Sequence, residues 1–192
     1  MDTSPTFDRA LAVLAEVEGS WSDDPDDAGG LTRWGLSSRF LNRLIQKGRY
    51  WRQRLDANRN GRVDPDEMKR LRPADRDRIY RECFWDEYRC GELPEEAATP
   101  FFLLVVNARP RAAGRCLQRA ILHAGADPGP LDGIVGDSTI AGASEVPGPQ
   151  LARRLAAEAC LLYHRIATGN PTQEKFLRGW FWRVAVSITP NQ

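Results

Sequence analysis

Glu18, the aspartates Asp23, Asp24, Asp26 and Asp27, and Thr32 are the first residues of this 192-residue chain whose types and spacing could do chemistry. Glu18 is expected in the last turn of a helix. There the unpaired carbonyls and the negative dipole end disfavour a second negative charge and favour the protonated acid, the more so if Trp21 shields it. Such an acid can protonate a leaving oxygen. The aspartates crowd a segment broken by Pro25 and followed by Gly29 and Gly30, a turn-rich loop whose carboxylates should be solvated and ionised. Two carboxyl groups in different surroundings are what glycosidic hydrolysis requires, one as acid, one to activate water or stabilise the developing cation. Thr32 could hold that water through its hydroxyl. Composition alone also allows a surface helix end beside a solvated acidic turn.

A second constellation runs from Asp56 to Glu67. It fits the twelve-residue calcium loop of an EF-hand: Asp56, Asn58 and Asn60 at the first, third and fifth positions, Gly61 at the sharp turn, the Arg62 carbonyl at the seventh, Asp64 at the ninth and Glu67 at the twelfth. Calcium takes six to eight hard oxygens, and this spacing wraps one chain segment around such a sphere. Asn at two ligand positions leaves Asp56, Asp64 and Glu67 as the carboxylates, which argues for the modest affinity of extracellular modules. Val63 fills the apolar eighth position, and Pro65 suits the first turn of a short exiting helix carrying Met68 and Leu71.

The elements that must position these groups are mostly helical. Phe7, Leu11, Leu14 and Val17 form one apolar stripe, with Pro5 in the first turn and Gly19 suited to a left-handed residue closing the helix. Leu31 to Ser37 reads as a short strand or hairpin arm. Phe40, Leu41, Leu44 and Ile45 set a helix capped by Ser37 or Ser38; Gly48 interrupts it before Tyr50, Trp51 and Leu55. Ile79, Tyr80, Cys83, Phe84 and Tyr88 form a further stripe with Trp85 at its side. Phe101 to Val106 is continuously apolar, a buried helix or a strand. Ala112, Cys116, Leu117, Ala120 and Ile121 form the face of a helix over 111–124. Leu151, Leu155, Ala159, Leu162 and Ile166 are the expected buried face of a long helix over 150–168.

Lys plus Arg number 27 against 26 Asp plus Glu, so no global basic field draws the chain onto nucleic acid. No run approaches the ~20 apolar residues of a membrane span, and because no basic segment leading into a continuous apolar run follows Met1-Asp2, no signal peptide is expected. Cys83, Cys90, Cys116 and Cys160 show no zinc spacing and are expected to be mostly free thiols. His123 and His164 are isolated.

Glu18-Gly19, Asp24-Pro25, Asp27, Gly29-Gly30, Thr32 and Trp34-Gly35-Leu36 together resemble the signature of the glycoside hydrolase family 108 muramidases. Ser20, Ala28 and Leu36 depart from that signature without removing a catalytic group. The Glu18, Asp27, Thr32 spacing is also similar to the Glu, Asp, Thr trio of phage-type lysozymes, where the threonine lies one residue further on. Further resemblances are Leu71 to Tyr88, Phe101 to Asn107 followed by the 111–124 helix, which implies that Phe101 to Val106 is a helix and not a strand, and Phe176 to Val184, where Trp180 and Trp182 are expected to seal the core. Leu131 to Thr139, with Asp132-Gly133, Gly136 and Thr139, resembles an element of peptidoglycan-binding helical modules, with Asp137 or Ser138 able to cap the next helix.

The resemblance implies a mainly α-helical (α+β lysozyme-like) domain with a small β-hairpin and the calcium loop as an insertion. Residues 1–100 would form the catalytic region, and 101–192 a helical peptidoglycan-binding-like region in the same compact unit. It implies cleavage of the β-1,4 bond between N-acetylmuramic acid and N-acetylglucosamine in peptidoglycan, with Glu18 as general acid and Asp27 and Thr32 serving the water. Candidate saccharide contacts are Trp21, Asp24, Trp34, Tyr80, Trp85 and Asn107; core packing for Tyr80 and Trp85, and helix capping for Asn107, are equally open. One Ca2+, structural or regulatory, is the expected cofactor. The protein is expected to be a monomer made in the cytoplasm that reaches the cell wall by holin-dependent or dedicated export. The alternatives are a lytic transglycosylase and a non-catalytic, calcium-dependent wall-binding protein.

Overall fold

Helix α1 (Pro5–Val17) buries Phe7, Ala10, Val13 and Leu14, a face one step round from the expected stripe, since Leu11 stays half-buried. The protein is described here from a computed structural model, over residues 4–22 and 31–189. Packing groups the chain into two compact units, one comprising Met1–Val17 and Tyr80–Gln192, the other Glu18–Ile79. The fold is mainly α and lysozyme-like, with one small antiparallel sheet. The expected division at residue 100 falls inside helix α6 (Glu95–Asn107).

In the larger unit, α6 is the central helix. Its residues from Ala97 to Val105 are all buried, which is why the sequence there is apolar without periodicity. Helices α7 (Pro110–His123), α9 (Gly148–Gly169) and α10 (Leu177–Ser187) belong to the same unit, with the short α8 (Asp137–Ser144) between α7 and α9. Gly136, not Asp137 or Ser138, is the N-cap residue of α8; Asp137 pairs with Arg89 at 2.7 Å. Along α9 the buried face runs through Leu155, Ala159, Tyr163 and Ala167, leaving Leu162 half-buried and Ile166 exposed. Trp180 stacks on Tyr163 with centroids 5.0 Å apart, whereas Trp182 is 61% exposed and seals nothing. The two lie two residues apart on one helix, so they point to different faces.

Residues Arg81–Asp86 form a π-helical turn directly after helix α5 (Pro73–Tyr80). Its wider spacing puts Trp85, five residues after Tyr80, on the buried side. Trp85 there meets Phe7 and Phe102 edge to face at 5.3 and 5.6 Å.

The smaller unit holds strands β1 (Trp21–Ser22), β2 (Thr32–Arg33) and β3 (Leu36–Ser37), hydrogen-bonded in that order. Helices α2 (Ser38–Lys47), α3 (Arg49–Leu55) and α4 (Pro65–Arg70) follow. The Ser37 hydroxyl accepts from the Phe40 N–H and so caps α2. The smaller unit buries Leu36, Leu41, Leu44, Ile45, Trp51, Leu55, Val63, Met68, Leu71 and Ile79. None of the four cysteines forms a disulfide among the described residues, and no described helix is long and apolar enough to cross a membrane.

Candidate active site

Glu18 is the first residue past α1 and is half-buried. Gly19 does not adopt the left-handed conformation expected of it. The chain instead leaves the helix through Ser20 directly into β1, so no reversal is needed; the Ser20 carbonyl accepts from the Trp34 N–H at 3.2 Å. Trp21 is opposite Arg33 and Ser22 opposite Thr32, while Thr32 is also opposite Ser37. Glu18 thus enters, two residues on, the pairing of the sheet that carries Thr32. Asp24 and Asp27 lie outside the described residues.

Arg33 and Leu36 pair across a two-residue turn, Trp34-Gly35, with φ of 49° and 79°. Positive φ at both central residues is the type I′ signature that matches strand twist. Glycine takes it freely and tryptophan does not. Two guanidinium groups lie against the Trp34 ring, Arg33 at 4.2 Å and Arg76 at 5.2 Å from its centroid. Arg33 Nη1 also donates to the carbonyls of Met68, at 2.8 Å, and Lys69 at the end of α4. A cation at a helix C-terminus serves unpaired carbonyls. It ties α4 to the strand bearing Thr32. Of the remaining expected saccharide contacts, Trp21 is exposed and Trp34 half-buried. Tyr80 and Trp85 are core side chains, and Asn107 Nδ2 donates to the Tyr163 hydroxyl at 3.0 Å.

The Asp56–Glu67 loop is built by side chains folding back on its own backbone. Asp56 Oδ2 accepts from the Gly61 N–H, Asn58 Oδ1 from Asn60, and Asn60 Oδ1 from Arg62, each at 3.0 Å. Gly61 has φ +83°, the left-handed turn the sixth position needs. Asp64 caps α4 by accepting from Asp66 and Glu67, in a capping box closed by Glu67. The N–H of Glu67 in particular holds the Asp64 carboxyl below its ordinary range. Both Glu67 oxygens accept backbone N–H groups, from Asn58 and Asp64, at 3.1 Å. Each keeps a second lone pair.

The observation that tests this loop as a cation site is Asp56. It is 2% exposed, and its Oδ1 has no hydrogen-bond partner among the described residues. A buried carboxylate oxygen without a donor is costly, and a hard cation would satisfy it. Among the described residues no three acidic, histidine or cysteine side chains are gathered tightly enough to hold a metal by themselves. Asparagine and backbone oxygens must complete the sphere, and in that mixed form the residues fit calcium.

Two supports of this loop are not visible in the motif. Asn42, on α2, accepts from the Val63 N–H at 2.7 Å and donates to the Val63 carbonyl at 3.5 Å, pairing the eighth position as a neighbouring strand would. A polar residue beside Leu41, Leu44 and Ile45 was the available signal. Asp75, buried at the start of α5, accepts from Arg54 and Arg72, both at 2.7 Å, and so fastens α3. Burial opposes its charge, but the two guanidinium groups prevail and hold it below the carboxylate range.

The Leu131–Thr139 segment is organised by Gln118, a buried side chain of α7. Its Nε2 donates to Asp132 Oδ1 at 3.1 Å and to the Ile134 carbonyl at 3.0 Å; its Oε1 accepts from the Gly133 N–H at 2.8 Å. A Cβ on Gly133, at φ +81°, would lie 2.2 Å from the Arg111 carbonyl oxygen. Glycine is therefore required for the close approach to α7. A glutamine within the apolar face of a helix was the sequence signal here.

The glycosyl hydrolase 108 family model matches residues 11–108, half of the chain, and includes Glu18, Thr32 and the Asp56–Glu67 loop. A model described as a predicted peptidoglycan domain matches residues 112–185. The structure of SagA from Brucella abortus has a similar fold, with a TM-score of 0.72 and 24% identity, covering 95% of this chain and 91% of that one. No curated protein matches the sequence.

Proposed function

The chain belongs to the glycosyl hydrolase 108 family, and we propose that it is a peptidoglycan hydrolase cutting the β-1,4 bond between N-acetylmuramic acid and N-acetylglucosamine. The observation that carries this reading is the place of Glu18 within the family match, directly past α1 and at the entrance to the sheet holding Thr32. Glu18 protonates the glycosidic oxygen as the bond breaks, and Thr32 with Asp27 orients and activates the attacking water. Trp21 and Trp34, both on the hairpin that follows this acid, are the candidate rings for the apolar faces of sugars, with Asp24 as a further candidate contact. The burial of Tyr80 and Trp85 favours core packing for them, and the bond to Tyr163 favours a structural role for Asn107.

The protein works as a monomer with one Ca2+, held by Asp56, Asn58, Asn60, the Arg62 carbonyl, Asp64 and Glu67. Bound there, the ion supplies charge that fixes the loop. The order reaches β2 through α4 and Arg33, so the role is structural support of the strand carrying Thr32. The match of residues 112–185 supports wall association by the helical region.

Digestion of purified sacculi followed by mass spectrometry tests the reaction. The expected products carry a reducing N-acetylmuramic acid end. Products with a 1,6-anhydro end would identify a lytic transglycosylase, and binding without cleavage a non-catalytic wall-binding protein.

A further inference from the structure

A cavity of about 590 Å³ opens in the larger unit, where the first turns of α6 and α9 meet α1 and the end of α10. That is the size of a small-ligand or short-peptide site. Its lining combines four charges with an apolar floor. Arg9 and Glu95 form an ion pair at 2.6 Å. Arg153 is exposed, and its side chain makes no hydrogen bond or ion pair with the described residues. Glu96 rests against Gly148 in the first turn of α9, where a Cβ would come within 2.0 Å of its Oε2. Val13 and Ala152 are buried between them.

The charges balance, and this restricts the occupant. A polyanion would meet Glu95 and Glu96, a polycation Arg9 and Arg153, and an uncharged sugar chain would leave Arg153 and Glu96, the two charges outside the Arg9–Glu95 pair, without a charged counterpart. A short zwitterionic peptide with small apolar side chains satisfies both signs and the floor. We propose that this cavity binds the peptide stem of peptidoglycan, with a stem carboxylate on Arg153, the amino group of its diamino acid on Glu96, and an alanine methyl on the floor. The assignment rests on the reading of the wall as substrate. It adds a recognition site for the part of that substrate the catalytic residues do not touch.

The test uses the full chain and the free tetrapeptide L-Ala-γ-D-Glu-meso-diaminopimelyl-D-Ala, titrated by calorimetry. Wild type should bind it, and bind an all-L Ala-Glu-Lys-Ala peptide more weakly. Arg153→Glu and Glu96→Lys should each weaken tetrapeptide binding about tenfold or more, as the loss of a charged hydrogen bond requires, with melting temperatures reported alongside. Arg153→Glu should also raise KM on intact wall while leaving cleavage of amidase-stripped glycan unchanged. No tetrapeptide binding by wild type, equal binding of the all-L peptide, or unaltered binding by a folded Arg153→Glu variant would overturn the assignment. Lysis without tetrapeptide binding sinks this assignment alone; tetrapeptide binding without cleavage of either glycan sinks the hydrolase reading and leaves the cavity's role standing.

Discussion

The Asp56–Glu67 and Leu131–Thr139 loops are made of the same materials, aspartates and a left-handed glycine bound back to the backbone, yet they are completed differently. Around Asp132 and Gly133 the buried polar groups are met by Gln118. Around Asp56 and Gly61 one buried carboxylate oxygen has no donor among the described residues. The difference separates a turn whose polar groups are met within its own protein from one that leaves room for the proposed cation.

The largest effect should come from the complete loop. Gln118→Leu strands the buried Gly133 N–H and takes one donor each from the Asp132 carboxylate and the Ile134 carbonyl, and should cost about 3 kcal/mol in urea unfolding. The loss should be the same with and without calcium. Next is calcium itself: at tenfold excess over its Kd it should add about 1.4 kcal/mol, read as a rise in melting temperature. Asp56→Asn should abolish that rise and cost little in chelator, since it removes a buried, half-satisfied charge. A calcium response that survives Asp56→Asn would erase the distinction between the loops. Asn42→Ala should cost about 1 kcal/mol and blunt the calcium response, because Val63 loses its pairing partner. The smallest effect is on pH dependence. Backbone N–H groups, from Glu67 to Asp64 and from Ile134 to Asp132, hold both carboxyls below their unfolded range. Their stabilisation is present above the unfolded value near ~4 and lost as pH falls through the lower folded values. Acid titration followed by NMR should show both carboxyls protonating late. Calcium should delay Asp64 further and leave Asp132 unmoved.

What was legible in the sequence was local. The turns of the Asp56–Glu67 loop could be read because its side chains bind backbone two to five residues away. The α2 cap could be read because Ser37 reaches only to Phe40. Helices with one apolar stripe were placed well, and α6 required the family resemblance because a helix buried all round has no period. What escaped was long-range or off-register. The π turn moved Trp85 inward, and no periodicity of 3.6 announces that. Asn42 reaches Val63 across 21 positions, and Gln118 reaches Gly133 across 15. The exposure of Trp182 depended on which face of α10 packs, a choice made by the stacking of Trp180 on Tyr163.

Glu18 is the centre of the account, and substituting it with glutamine tests it most directly. Glutamine preserves size and hydrogen bonding while removing the transferable proton. Release of soluble fragments from purified sacculi should fall at least about a hundredfold in Glu18→Gln, with an unchanged melting temperature and unchanged sedimentation with the wall. Lysis at the wild-type rate by the folded variant would contradict the assignment of Glu18 as the general acid.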